Sequence, residues 1–345
     1  MSTTTDIKSL DLAGLGALTS ELDQPSFRTR QLARWLYGRG ITSFDEMTDV
    51  PAPMRAALAE RFTIGALALQ TMQTSADGTR KYLWRLSDGV TVESVGIPAG
   101  DRLTVCFSTQ AGCALGCAFC ATGRDGLTRS LTSGEIADQV IAVGREFGRR
   151  VSNAVAMGQG EPFAAYDAVL GALRILNSPD GPGIGARHLT VSTCGVLPGI
   201  HRFSDEPEQF TLAVSLHSAV QKTRDALMPG VRTYRLPELR LALVTYSEKT
   251  GRRPTLEYAL IEGANDSDRE LAALVRFCSG LLCHVNLIPV NAVAGSGMAR
   301  ASAERVRTFE RALTVGGTEA SVRTERGTDI DAACGQLRQR TRRAE

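Results

Sequence analysis

Leu103-Thr104-Val105-Cys106-Phe107-Ser108-Thr109-Gln110-Ala111-Gly112-Cys113-Ala114-Leu115-Gly116-Cys117-Ala118-Phe119-Cys120 is the stretch on which the reading of this chain turns. Residues 103–108 are an apolar, strand-like run. A loop follows in which three cysteines are spaced Cys113-x3-Cys117-x2-Cys120, and Gly112, Gly116 and Gly123 leave its backbone free to wrap a ligand. Structural zinc takes four ligands, and no fourth Cys or His lies close by in sequence. Ferredoxin clusters also take four thiolates, generally from C-x2-C-x2-C with a distant partner. Three thiolates on a four-iron cluster leave one iron open to a small molecule. The bland alternative is three thiols packed in a buried loop.

Outward from this loop, strand-like runs at 103–108, 154–157, 189–193, 212–216, 255–261 and 285–289 alternate with helical stretches at 133–147, 166–176, 236–248, 268–278 and 302–313. Strands alternating with helices predict parallel βα units. Six units cannot close an eight-stranded barrel, so the expected fold is α/β, an open partial (βα)6 barrel, with 320–324 as a last strand at its edge. Upstream, Phe27, Leu32, Trp35, Leu36 and Tyr37 recur at the helix period until Gly38 and Gly40, and a second helix is expected near 54–62. Residues 67–98 alternate instead, with turns at Asp77-Gly78 and Asp88-Gly89. The expected division is 1–65 helical accessory, 66–100 short antiparallel lead-in, 101–330 barrel and 331–345 terminal loop. Residues 1–22, of mixed polarity, are expected to fray.

Unusual residues gather where the barrel strands end. The cysteine loop, Gly158-Gln159-Gly160-Glu161-Pro162, Ser192 to Gly195, Ser215-Leu216-His217 and Asn291 each follow a strand, the rim where parallel βα arrays build their sites. Cys106, inside the first strand, and Cys334, near the end beside Asp329 and Asp331, are either packed thiols or reactive ones serving as nucleophile, base or disulfide partner. Cys278 and Cys283 sit in apolar surroundings and are expected to pack.

Composition bounds the function. Across 345 residues, 43% are hydrophobic and 22% charged, which excludes a disordered tail protein. No apolar run approaches the roughly 20 residues of a membrane span. Residues 1–10 lack a signal-peptide pattern, so a cytoplasmic address is expected. Net charge is +2, but of 39 basic residues only Lys8, Lys81, Lys222 and Lys249 are lysine, leaving 35 Arg. That bias suits phosphate contacts or a biased genome equally. The densest basic patch is Arg338, Arg340, Arg342 and Arg343.

The C-x3-C-x2-C loop after a barrel strand is the radical S-adenosylmethionine signature, and the chain as a whole resembles the RlmN/Cfr family of radical-SAM RNA methyltransferases. The resemblance covers nearly the full length: Phe27-Arg28-Thr29-Arg30-Gln31-Leu32, Trp35-Leu36-Tyr37, Phe44-Asp45-Glu46-Met47-Thr48, Val92-Glu93-Ser94-Val95, the block from Cys106 to Cys120, Gly160-Glu161-Pro162, Ser215-Leu216-His217, Asn286-Leu287-Ile288-Pro289, and Asp329 to Leu337 match in order. It implies a 4Fe–4S cluster on Cys113, Cys117 and Cys120, and S-adenosylmethionine, two molecules per turnover. Cofactor contacts would fall on Gly160, Glu161, Ser192, Ser215, Leu216, His217 and Asn291. In the family's two-stage chemistry Cys334 would first take a methyl group. A second cofactor molecule would then yield the 5′-deoxyadenosyl radical that activates this methyl for addition to adenine. Cys106 would take the ring proton and release the product with a transient disulfide, with Glu93 a secondary proton acceptor.

The implied substrate is C2 of an adenine in 23S rRNA, with tRNA open as a second one. The implied partner is a low-potential electron donor such as flavodoxin, and the implied state is a monomer. Glu161-Pro162 resembles the C2 branch; the C8 (Cfr-like) branch usually has Ala after that Glu. A C8 enzyme and a non-catalytic iron–sulfur RNA-binding protein are the alternatives. Departures from the family are Gln159 where Met is usual, Cys194 where Ser is common, Gly230-Val231 in place of Ile-Asn after Pro229, and Val290 and Ala292 flanking Asn291.

Overall fold

The computed structural model describes residues 5–290, 297–323 and 326–330. Ten strands form one mixed sheet in unbroken chain order: β1 (Ala68–Thr74), β2 (Arg80–Arg85), β3 (Thr91–Ala99), β4 (Arg102–Cys106), β5 (Asn153–Ala156), β6 (Leu189–Thr193), β7 (Thr211–Ser215), β8 (Thr255–Leu260), β9 (His284–Pro289) and β10 (Glu319–Val322). β1 to β4 are antiparallel; the first two hairpins turn at the predicted Asp-Gly pairs and the third at Gly100-Asp101. From β4 onward every neighbour is parallel. The order never returns to its start, so the array of six βα units and a closing strand stays open, as the strand count requires.

The lead-in strands are no separate sheet. β3 pairs with β4 at Val95 opposite Cys106, so they extend the barrel sheet directly. Helices α1 (Leu12–Glu21), α2 (Phe27–Ala33) and α3 (Ala52–Arg61) precede the sheet, and the crossover helices are α4 (Ser133–Phe147), α5 (Tyr166–Asn177), α6 (Leu197–Asp205), α7 (Gln221–Leu227), α8 (Leu236–Thr250), α9 (Asp268–Cys278) and α10 (Ala303–Val315). The pattern reading passed over α6, because Pro198 and Gly199 look like breakers. Pro in a first turn costs nothing there, and Gly199 lies so close to the Phe163 ring that a Cβ would clash.

The N-terminus corrects an expectation. Residues 1–22 do not fray as a whole: Leu12–Glu21 is a helix capped by Asp11, whose side chain accepts from Gly14 N at 2.8 Å. Ile7, Leu15 and Leu18 are buried in the same continuous core as the barrel helices. Lys8, 4% exposed, holds Asp138 of α4 at 3.0 Å. The few apolar positions looked weak because their partner surface lies some 130 residues away in sequence.

Strand register sorts the two sheet faces. Val105, Ala154, Val191, Leu212, Val214, Leu256, Tyr258, Val285 and Leu287 are fully buried among the helices. The opposite face is polar: Lys81 opposes Val95, Val95 opposes Cys106, Ser215 opposes Glu257, and Glu257 opposes Asn286. Residues two apart share a face, which adds Glu93, Ser192 and His284. A closed barrel packs this face with branched apolar side chains. Here it is a lumen lined with titratable groups.

Candidate active site

The cysteine loop sits in a built seat. Cys113 N donates to Gly126 O at 2.9 Å and Cys120 N to Cys117 O at 3.0 Å. Gly112 takes φ +80°, and a Cβ there would strike the Gly126 carbonyl. Ala118 N bonds Leu227 O (2.9 Å) and Gly230 N bonds Leu115 O (3.0 Å), docking the loop on the segment after α7. Leu227, Met228 and Val231 form a satellite apolar cluster against Leu115, Cys117 and Phe119. A Cβ at residue 230 would lie 2.6 Å from the Leu115 backbone, so the Gly230-Val231 departure fits this docking.

The three thiols, each half-buried, feel one another's charge. Burial pushes Cys113 up to about 12 and raises Cys120. Cys117 is lowered by a hydrogen bond with the Cys194 thiol, which is raised in return. Sequence proximity showed no fourth thiol; the fold brings one, Cys194, onto Cys117. Even so, among the described residues no three His, Cys, Asp or Glu side chains converge on a single ion. Spaced thiols of this kind suit the corners of a multi-iron cluster better than one zinc.

Arg224 is the second observation that fits a cluster. Its side chain is fully buried, Nη2 donates to Cys194 O at 2.6 Å, and Nε and Nη1 have no partner among the described residues. Each buried unsatisfied donor costs about 1–3 kcal/mol, so an anionic group beside Cys117 and Cys194 completes this site. An iron–sulfur cluster with thiolates and a carboxylate-bearing cofactor supply such charge. Arg224→Met should move the cluster midpoint to more negative potential, since a nearby cation favours the reduced state; an anaerobic redox titration read by electron paramagnetic resonance checks it.

Glu161, 2% exposed, is fixed from both sides: Oε2 accepts from Cys194 N (2.7 Å) and Oε1 from Phe163 N (3.0 Å). Burial raises its pKa. Gly160 before it takes φ +102°, and a Cβ would meet Gln110 at 2.6 Å. Ser192 and Ser215 lie half-buried on the lumen face, while Leu216 is fully buried. His217 adopts φ +53°, accepts from Ala259 N on Nδ1 at 2.9 Å, and meets the Phe119 ring edge-on at 4.6 Å. The accepting Nδ1 leaves the proton on Nε2.

Burial, then Arg224, lowers the His217 pKa from 6.5 to about 3. Its folded value lies below its unfolded one, so the stability it contributes is present above pH 6.5 and is lost as pH falls toward 3. His217→Asn should flatten that acid limb in a pH series of thermal unfolding.

Cys106 lines a lumen cavity of about 30 Å3 with Lys81, Glu93, Gly158 and Gln159. Burial pushes the thiol up to about 11, Arg323 and Lys81 pull it down, and Glu93 pushes it up. Arg323 follows β10 at the far edge, so its influence on β4 reports how far the sheet curls. Gln159 lines this cavity, and two residues on Glu161 holds Cys194, whose thiol bonds Cys117 of the cysteine loop. Cys334 and Asn291 lie outside the described residues. Sequence reasoning missed Lys81, Arg224, Glu257, which accepts from Asn286 Nδ2 at 2.7 Å, and Arg323. The polar residue at every second position of β8 and β9 was the available signal.

An open parallel βα array with three cysteines at its mouth defines a radical S-adenosylmethionine protein, and residues 107–275 match the radical SAM superfamily. Residues 5–64 match the family described as the ribosomal RNA large subunit methyltransferase N-terminal domain. The chain is 46% identical, over 97% of its length and 91% of the relative's, to a probable dual-specificity RNA methyltransferase RlmN of Symbiobacterium thermophilum. It is 47% identical to the protein of the same description from Geobacillus thermodenitrificans, over 92% of this chain and 88% of that one. A crystal structure of a radical SAM methyltransferase from Sphaerobacter thermophilus superposes with TM-score 0.89 at 45% identity, covering 96% of this chain and 98% of that one. The chain belongs to the RlmN family of radical-SAM RNA methyltransferases. It works with a 4Fe–4S cluster and S-adenosylmethionine, two molecules of it per turnover, and acts on RNA.

Proposed function

We propose that this enzyme methylates C2 of an adenine in 23S rRNA, and an adenine of tRNA as well, by way of a methyl group carried on Cys334. The relatives' dual specificity supports the two substrates. One observation carries the reading: Gly158 and Gln159 line the Cys106 cavity, and two residues on Glu161 accepts from the backbone N–H of Cys194, whose thiol bonds Cys117 of the cysteine loop. Radical generation and a resolving thiol therefore share one lumen.

Cys113, Cys117 and Cys120 hold the cluster, which when bound supplies the electron that cleaves S-adenosylmethionine to a 5′-deoxyadenosyl radical. Gly160, Glu161, Ser192, Ser215, Leu216, His217 and Asn291 bind and orient that cofactor. Glu161 accepts from its ammonium with the lone pairs its two amide bonds leave free. Cys334 presents the methyl group, loses one hydrogen atom from it, and forms a carbon–carbon bond to the ring. The adduct gives up one electron, which the oxidised cluster would take back, and Cys106 removes the ring proton, with Glu93 as the alternative acceptor. Cys106 passes that proton to solvent and, again a thiolate, attacks the Cys334 sulfur. The sulfur–carbon bond breaks with its electron pair going to carbon, which is protonated to a methyl group, and a disulfide remains.

Lys81 and Arg323 supply the positive charge that favours thiolate at Cys106. The enzyme acts as a cytoplasmic monomer, reduced by a low-potential donor such as flavodoxin; no helix among the described residues is long and apolar enough to cross a membrane. Mapping modified adenines in rRNA and tRNA from cells with and without the gene tests the proposal. Loss of 2-methyladenine is the expected result, and loss of 8-methyladenine would redirect it to the C8 branch.

A further inference from the structure

Gln159 is a buried amide with an unmet acceptor. It is 2% exposed, and its Oε1 has no hydrogen-bond partner among the described residues. Its backbone is pinned: N donates to Ser108 Oγ at 2.9 Å, and O accepts from Thr109 N at 2.8 Å and Gln110 N at 3.2 Å. The side chain lines the cavity that holds Cys106, Glu93 and Lys81. An unpaired buried carbonyl is costly, and the cost is recovered when a ligand brings a donor to it. Those about 30 Å3 admit one polar edge of a ring and not a whole base.

We infer that Gln159 reads the target base, its Oε1 accepting a hydrogen bond from the exocyclic amino group of adenine. Adenine carries its amino group on C6, bonded to N1, and N1 is bonded in turn to C2. An amide can accept from that amino group and donate to N1, a two-point grip on the Watson–Crick edge analogous to the one glutamine makes at the amino group and N7 on the other edge. Gripped at this edge, C2 is one bond from the held nitrogen, at the cavity that Cys106 also lines. Guanine carries a carbonyl where adenine has the amino group and would set oxygen against oxygen. The residue is thus a specificity determinant for the reaction proposed above, on which this inference rests. The usual methionine cannot accept in this way, so the device belongs to this chain.

The test compares 23S rRNA fragments carrying adenosine or purine riboside, which lacks the amino group, at the methylated position. Holoenzyme affinity by fluorescence anisotropy and methylation kcat/KM are both read. Wild type should prefer adenosine by about tenfold or more, and Gln159→Met should bring that ratio close to one while methyl-Cys334 still forms. Gln159→Glu keeps an acceptor at the same reach and should keep the preference. A Gln159→Met enzyme that retains the wild-type ratio overturns the inference and leaves the methylation reading standing. Absence of adenine methylation by the wild type sinks both.

Discussion

Cys113→Ala is expected to yield folded protein that holds no 4Fe–4S cluster, forms no 5′-deoxyadenosine and methylates no RNA. The loop's shape does not depend on the thiol, because the Cys113 backbone N–H makes the bond to Gly126 O. The cluster does depend on it: three ligands allow no redundancy. With its pKa near 12 the free thiol is neutral at physiological pH, so iron must displace a proton from it, and assembly should release protons and weaken in acid. Iron and sulfide content, the visible charge-transfer band and a 5′-deoxyadenosine assay read the outcome. Cys194, in contact with Cys117, is the one neighbouring thiol among the described residues that could stand in. A Cys113→Ala protein with full cluster and turnover would therefore sink the assignment, and losing both only on adding Cys194→Ser would transfer the ligand role.

Cys106→Ala should stop the reaction one step before release and accumulate enzyme joined covalently to RNA through Cys334. Methyl loading and carbon–carbon bond formation need no second thiol, but breaking the sulfur–carbon link does. Among the described residues Cys106 is the only thiol lining the cavity with Glu93 and Lys81. Multiple-turnover rate should fall about 100-fold or more, the range for removing a positioned proton-transfer group. A slow band on a denaturing gel, mapped to Cys334 by mass spectrometry, is the expected product. An otherwise competent variant that releases methylated RNA normally would return the proton and the resolving step to another group, with Glu93 first in line. Alanine removes only the sulfur from this half-buried strand position, and thermal unfolding of the variant checks that its fold is kept.

The comparison of pattern with structure turns on particular residues. The six barrel strands, the five longer crossover helices and both Asp-Gly turns were legible because each has a local cause: hydrophobic period, capping or turn chemistry. α6 was hidden by Pro198 and Gly199, whose meaning depends on Phe163 across the crossover. The N-terminal helix was hidden because Ile7, Leu15 and Leu18 bury only against the barrel. Of the candidate site, the three loop cysteines were visible by their spacing and Glu161 by its place after a strand. Lys81, Arg224 and Arg323 were not, since a basic residue in a strand or helix reads as surface until a lumen is known to exist.

The chain's own text settled the open βα array and the gathering of three cysteines in one loop, because spacing along a backbone is itself a geometric constraint. What only three dimensions decided is which polar residues look at one another: Cys194 onto Cys117, Arg224 beneath the cysteine loop, and the orphaned Gln159 amide beside Cys106. Those meetings follow from the curl of one continuous sheet. Burial then converts ordinary amides, thiols and guanidinium groups into demands for a partner, which no linear pattern can express.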